Sequence, residues 1–320
     1  MKITGVKNTA ATDLCLVELQ TDAGLSGIAI GPPEVGAATE NLVDNILAGA
    51  DPRAIMSLWQ EMSRADARPE AIAAVDTALW DLKAKTNGEP LWKALGGMRP
   101  RANAYASVDD WSGEFAQFGF HECKLKLAAD PETDLRRLGE IREALSARNR
   151  EPVLMINARG AWAAADAITN VARMEEEFDL TWVEAPVDET DIQGLKQVSD
   201  QVFAAVCAGR HLHRAADYLP YVQSQALDVV QIDILRTGIT GALQIADMAY
   251  GLELPVTLTA SPGNLAAHVA AVMPNFMSIE VVHAGSTTGA ITSDVRIEGG
   301  RALVGDEPGI GLTIDSGALK

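Results

Sequence analysis

From residue 102 onward the chain repeats one unit seven times, a short apolar strand followed by a segment with helical spacing, and closes on an eighth strand. The strands read at 102–108, 122–127, 152–157, 180–186, 203–209, 228–233, 255–260 and 278–282, and the helices between them at 113–119, 131–147, 163–178, 191–200, 214–225, 241–251 and 264–272. Parallel neighbours need a crossover long enough to hold a helix, so the alternation predicts a (β/α)8 barrel, an α/β fold. An open doubly wound sheet is the competing arrangement. It is weakened because no glycine-rich phosphate loop follows the first strand. No nucleotide or organic cofactor is expected.

The first part of the chain has a different texture. Strands are expected at 1–6, 14–20 and 25–30, with Thr21-Asp-Ala-Gly24 as the turn between the last two. Helical spacing follows at 33–48 and 52–65. The clearest helix covers 69–86, where Ala71, Ala74, Val75, Ala78, Leu79 and Leu82 form one stripe and Asn87-Gly88 is the stop. A short helix at 91–97 ends on glycine.

The formal charge of −18 and pI near 4.6 argue against nucleic acid and anionic membrane as partners. An anionic small substrate would then need a local cationic site. Cys15, Cys123 and Cys207 are far apart and have no metal-ligand spacing, which points to reduced thiols in a cytoplasmic protein. The N-terminal residues show no apolar signal core, and no run is long enough to span a membrane.

In a barrel of this kind the chemistry sits at the C-terminal strand ends. Those ends carry Lys124 and Lys126 on the second strand, Asn157 on the third, Glu184 on the fourth, Arg210 just past the fifth, Asp233 on the sixth and Glu280 on the eighth. Alternation puts Lys124 and Lys126 on one face. Mutual repulsion and desolvation should favour their neutral forms and make a lysine a usable base. The plain alternative is a solvated edge strand with two ordinary surface lysines.

Four stretches, in order, resemble the mandelate racemase and muconate-lactonising branch of the enolase superfamily. They are 71–85 with Pro90-Leu-Trp-Lys-Ala-Leu-Gly-Gly97, then Lys124-Leu-Lys126, Trp182-Val-Glu-Ala-Pro186, and 305–315. The resemblance covers nearly the whole chain. It implies an α+β capping domain over 1–98, the barrel over 99–290, and a C-terminal segment, 291–320, that returns to the cap. It implies abstraction of the proton α to a carboxylate, with Mg²⁺ holding the enediolate. It makes Lys126 a base, Lys124 a neighbour of the substrate carboxylate, and the ends of strands three, four and five the metal ligands.

The chain departs from that pattern at named positions. Asn157 and Arg210 stand where the resemblance expects acids, so that with Glu184 the three positions carry no net charge. A carboxamide oxygen ligates Mg²⁺ weakly and a guanidinium cannot ligate it. A register slip would offer His211, which suits Mg²⁺ poorly. Arg159 stands where an asparagine is usual. Asp233 matches an aspartate that supports a strand-seven histidine, but the seventh strand ends in Thr259 and Ala260, and His268 on the next helix reads as a packing or surface residue. Glu280 matches an acid that bonds the enediolate, or is a buried carboxylate paired with an arginine. The connection 7–13 is shorter than the mobile loop usual over the substrate.

Three functions stay open. One is a dehydratase-like lyase or isomerase acting on an acid sugar or hydroxy acid, with Lys126 as base. A second is a metal-free variant in which Arg210 and Arg159 hold the substrate carboxylate and Arg210 pairs with Glu184. A third is a barrel without catalysis that serves as a carboxylate-binding or assembly protein. A homo-oligomer is expected in each case.

Overall fold

In the computed structural model the described residues are 1–315 apart from 12, 66, 112, 129, 148–150 and 286, so the last five positions of the expected C-terminal segment lie outside them. Three antiparallel strands, β1 (Ile3–Ala10), β2 (Cys15–Thr21) and β3 (Ser26–Gly31), form a meander in that order. Alternate residues of β2 (Cys15, Val17, Leu19) are buried, as one-sided packing requires. The strands run further than their apolar runs suggested, leaving only residues 11–14 between β1 and β2. Helices α1 (Gly36–Leu42), α2 (Ile55–Arg64), α3 (Pro69–Asn87) and α4 (Leu91–Ala94) complete this layer. Pro69 opens α3 at a position where no N–H is missed, and Gly88 closes it at φ 66.

The barrel is closed. Its parallel strands are β4 (Arg101–Val108), β5 (Glu122–Lys126), β6 (Val153–Asn157), β7 (Leu180–Glu184), β8 (Ala205–Ala208), β9 (Val229–Ile232), β10 (Val256–Leu258) and β11 (Phe276–Val281), and β11 pairs back onto β4. Around it lie α5 (Gly113–Ala116), α6 (Pro131–Ser146), α7 (Ala164–Glu175), α8 (Ile192–Ser199), α9 (Ala215–Gln223), α10 (Ile234–Gly251) and α11 (Ala266–Ala270). Tyr105, Met155, Trp182, Cys207 and Val229 pack as a layer of their own, with Tyr105 and Trp182 edge to face at 5.5 Å. All three cysteines are free and buried.

One helix boundary differs from expectation. α10 starts at Ile234, immediately after its strand, instead of near residue 241. Asp233 caps it by accepting from Leu235 N–H at 3.0 Å, and the helix is broken at Gly238, φ 66 and ψ −176. A Cβ on Gly238 would lie 2.7 Å from the Asp76 carboxylate, so the break is where α3 presses on α10. The remaining strands are β12 (Thr287–Thr288), β13 (Ile291–Ser293), β14 (Arg296–Glu298), β15 (Arg301–Leu303) and β16 (Leu312–Ile314). The segment before β16 returns to the first layer: Leu91 N–H donates to Gly309 O, and Ile310 N–H to Asp81. No described helix is long and apolar enough to cross a membrane.

Candidate active site

The sheet register sets the site in two tiers. Lys126, Asn157, Glu184 and Cys207 are successive register partners across β5 to β8. Lys124 is one tier deeper, opposite Met155. Its side chain is long enough to climb to the upper tier, where Nζ bonds Glu184, Glu280 at 2.9 Å and the Tyr105 hydroxyl at 3.3 Å. Lys124 is 0 % exposed, and Glu184 and Glu280 are also buried.

This environment corrects two expectations. Burial alone pulls the Lys124 amine down, but Glu184, Tyr105 and Glu280 outweigh it and hold it well above the ordinary lysine range. It is a fixed ammonium, not a neutral lysine. An ammonium has three N–H groups, and three acceptors already take them. None is left for a substrate carboxylate, the neighbour expected for Lys124. Burial raises the Glu280 carboxyl, but the adjoining ammonium dominates and brings it down to about 2. Glu280 therefore is a buried paired carboxylate, with a lysine in place of the expected arginine. Its other oxygen accepts from Ala260 N–H at 3.1 Å, pinning the end of β10.

Asn157 is equally committed. Its oxygen accepts from Arg159 N–H at 2.7 Å, and its amide nitrogen donates to Glu184 Oε1 at 2.7 Å. The first bond is an Asx-type turn that supports Arg159 in the left-handed region, φ 58. It also fixes the amide orientation, since the oxygen must face the N–H. What Asn157 presents to Glu184 is thus a donor.

Arg210 does not reach Glu184. β8 stops at Ala208, and Gly209 turns the chain at φ 121, where a Cβ would lie 2.5 Å from the Tyr218 ring. The turn sends Arg210 to the rim, 60 % exposed, with Nε 3.8 Å from Asp233. The anticipated Arg210–Glu184 fork is replaced by Lys124–Glu184. Asp233 is buried, which raises its carboxyl, opposed by Leu235 N–H and Arg210. It serves as a helix cap, and no strand-seven histidine stands beside it. Arg159 pairs with Asp109, and Lys126 Nζ lies 3.8 Å from the same carboxylate with a quarter of its side chain exposed. His268 is a packing residue: it is fully buried, accepts Trp92 N–H at 3.3 Å, and is driven by burial down to about 3.

Above the strand ends lies a cavity of about 820 Å³ that Asn157, Arg159, Glu184, Arg210 and Asp233 all line. Lys124, Lys126 and Glu280 are not among its lining residues. Its upper wall comes from Asp13, Leu14 and residues 30–34, so the short connection still reaches it. Two features escaped the sequence reading. Arg236 lines the cavity and pairs with Glu70 of α3 at 2.7 Å. His211 also lines it, with Nδ1 2.5 Å from Glu189 and Nε2 3.4 Å from the Tyr221 hydroxyl. The sequence placed His211 beside Arg210 but offered it only as a metal donor.

The donor set does not fit Mg²⁺. That ion wants near-octahedral oxygen ligands, mostly carboxylates and waters. Here one of the three positions is an amide turned donor outward, one is a guanidinium at the rim, and the third is a carboxylate already held by an ammonium. Among the described residues no three His, Cys, Asp or Glu side chains are grouped to hold a metal.

A capped (β/α)8 barrel with its cavity at the strand ends defines the class of protein. Residues 2–96 match the mandelate racemase / muconate lactonizing enzyme N-terminal domain, and residues 108–318 match the enolase C-terminal domain-like family. The chain belongs to the mandelate racemase / muconate lactonizing enzyme branch of the enolase superfamily. It is 28% identical to a hydrophobic dipeptide epimerase of Enterococcus faecalis, over 95% of this chain and 92% of that one. A racemase from Streptomyces coelicolor A3(2), solved with bound magnesium, superposes at a TM-score of 0.87 with 26% identity, covering 99% and 98% of the two chains. The L-talarate dehydratase of Polaromonas sp. JS666, solved with Mg and L-glucarate, superposes at 0.86 with 27% identity, covering 99% and 96%.

Proposed function

We propose that this chain removes the proton α to the carboxylate of a small acid sugar or hydroxy acid and expels a β-hydroxyl, a dehydratase reaction. The observation that carries the reading is the cavity itself, where three guanidinium groups (Arg159, Arg210 and Arg236) meet the strand ends beneath the cap. A guanidinium binds a carboxylate through two parallel N–H bonds, which fixes its plane and orients the α-carbon. Arg210 and Arg159 hold that group. Lys126, the register partner of the cavity-lining Asn157, is the base. Its amine takes the α-proton, and the electron pair passes into the carboxylate and then expels the β-hydroxyl. His211, oriented by Glu189 through Nδ1, protonates the departing oxygen. Water leaves, and the enol that remains tautomerises to a 2-keto acid. Kinship with a talarate dehydratase supports an acid-sugar substrate. The protein works as a cytoplasmic homo-oligomer.

The test is a library of aldonic, aldaric and hydroxy acids incubated in deuterated buffer, read by NMR for α-deuterium and for 2-keto product. Lys126→Met should lower labelling by roughly 10²–10⁴. Only one enantiomer of each pair should exchange, since Thr259 and Ala260 supply no base on the opposite side. Labelling that survives the substitution removes Lys126 from the role. Saturable binding of acids without any exchange would instead favour a carboxylate-binding protein.

A further inference from the structure

We propose that the Lys124 ammonium is the resident cation of this site and takes the place of the divalent metal implied by the family. The inference rests on the cavity of the preceding reading but on none of its chemistry. Three observations carry it. Lys124 Nζ lies directly on Glu184, the single acid left at the three expected ligand positions, and also contacts Glu280 at 2.9 Å and Tyr105 at 3.3 Å. Those three acceptors, one per N–H, give the ammonium a complete coordination shell made by β4, β7 and β11. It is fully buried, so bulk solvent does not reach that shell.

The two departures at the expected ligand positions suit this arrangement. Asn157 donates to the Glu184 oxygen that Lys124 does not take, so both oxygens of Glu184 are satisfied without a metal. An aspartate at 157 would repel Glu184 unless a divalent ion stood between them. A glutamate at 210 would face Asp233 with a like charge, and the guanidinium there instead lies against it at 3.8 Å. A carboxylate that neither accepts from a neighbour nor touches a cation would be costly in this interior. Each carboxylate has such a partner: Glu184 has Lys124 and Asn157, Glu280 has Lys124 and Ala260 N–H, and Asp233 has Leu235 N–H and Arg210. An incoming Mg²⁺ would have to displace the ammonium from Glu184 and leave two cations side by side.

The experiment measures binding and stability, not turnover. Wild-type protein is stripped with EDTA, then titrated with Mg²⁺ and Mn²⁺ by calorimetry and followed by thermal unfolding. The expected result is no saturable binding at millimolar ion and no change in Tm. Lys124→Met keeps the length of the side chain but leaves Glu184 and Glu280 uncompensated. Its Tm in EDTA should fall by on the order of 5–10 °C. Divalent ions should restore much of that loss in the variant while leaving wild type unmoved. Saturable sub-millimolar Mg²⁺ binding by wild type that Glu184→Gln abolishes would overturn the proposal. So would a Lys124→Met protein as stable as wild type in EDTA. If that variant fails to fold, the wild-type titration still decides. A failed α-proton reading would show in the exchange assay and would leave these binding results untouched.

Discussion

Lys124 and Lys126 share a strand and a face but meet different surroundings, and the contrast turns on a single tier of depth. The outer lysine has a solvent path and a loose contact with Asp109 at 3.8 Å, whereas the inner one is sealed among two carboxylates and a phenol. Glu280 gives this a measurable consequence. Its folded value of about 2 is below the ordinary 4.5, so its contribution to stability is fully present above 4.5 and is lost as pH falls toward 2. Glu280→Gln should therefore cost roughly 3 kcal/mol near neutral pH, and urea titrations of the two proteins should converge as pH drops below about 4. The inward direction of both lysines was legible from alternation. The capture of Lys124 was not, because it depends on two acids from strands distant in sequence and on a side chain reaching up a tier. The same holds for Arg210: its place after strand five was readable, but its rotation to the rim follows from the Gly209 turn beneath Tyr218.

At the scale of elements, the apolar runs located every barrel strand, with ends displaced by a few residues where a run continues into a loop. Periodicity was less informative for α3. Its sequence shows one apolar stripe, yet Ala73, Asp76, Thr77, Trp80 and Asp81 on the other side are buried as well. The helix is squeezed between β3 on one face and α10 on the other. Gly27 of β3 is so close that a Cβ there would lie 1.9 Å from Ala78 O. On the α10 side Asp76 accepts from Thr240 N–H at 2.8 Å and from its hydroxyl at 2.6 Å. Burial still wins over those bonds and pushes the carboxyl up to about 7. A carboxyl raised above its unfolded value of 3.8 stabilises most when protonated, so this contact weakens as pH rises from about 4 through 7. Asp76→Asn should flatten that part of the pH–stability profile, and denaturation at pH 5 and pH 8 would show the wild-type gap of a few kcal/mol closing in the variant. An unchanged gap would mean that Asp76 titrates normally.

The whole molecule is held by a cap that is not continuous in sequence. Asp81 joins three parts of it: Ile28 N–H of β3 at 2.7 Å, Lys85 of its own helix at 2.6 Å, and Ile310 N–H of the returning segment at 2.8 Å. Trp92 Nε1 adds a bond to Gly305 O at 3.1 Å. The sequence motif at 305–315 pointed to this return, but nothing local announced that one buried aspartate would gather it. Asp81→Ala leaves two backbone N–H groups and a lysine without their acceptor, and should destabilise by roughly 3–5 kcal/mol, read as a lower denaturation midpoint with unchanged slope. The joint also has a consequence for birth on the ribosome. Ile310 follows Asp81 by 229 residues, so at about 5–20 residues per second the aspartate waits roughly 10–45 s for its last partner. During that interval the nascent first layer carries a buried-to-be carboxylate with two of its three partners available and the third missing. The barrel can close around its own strands in the meantime, but the cap is finished only after residue 310 has been made, so a chain stalled before that point carries an open cap.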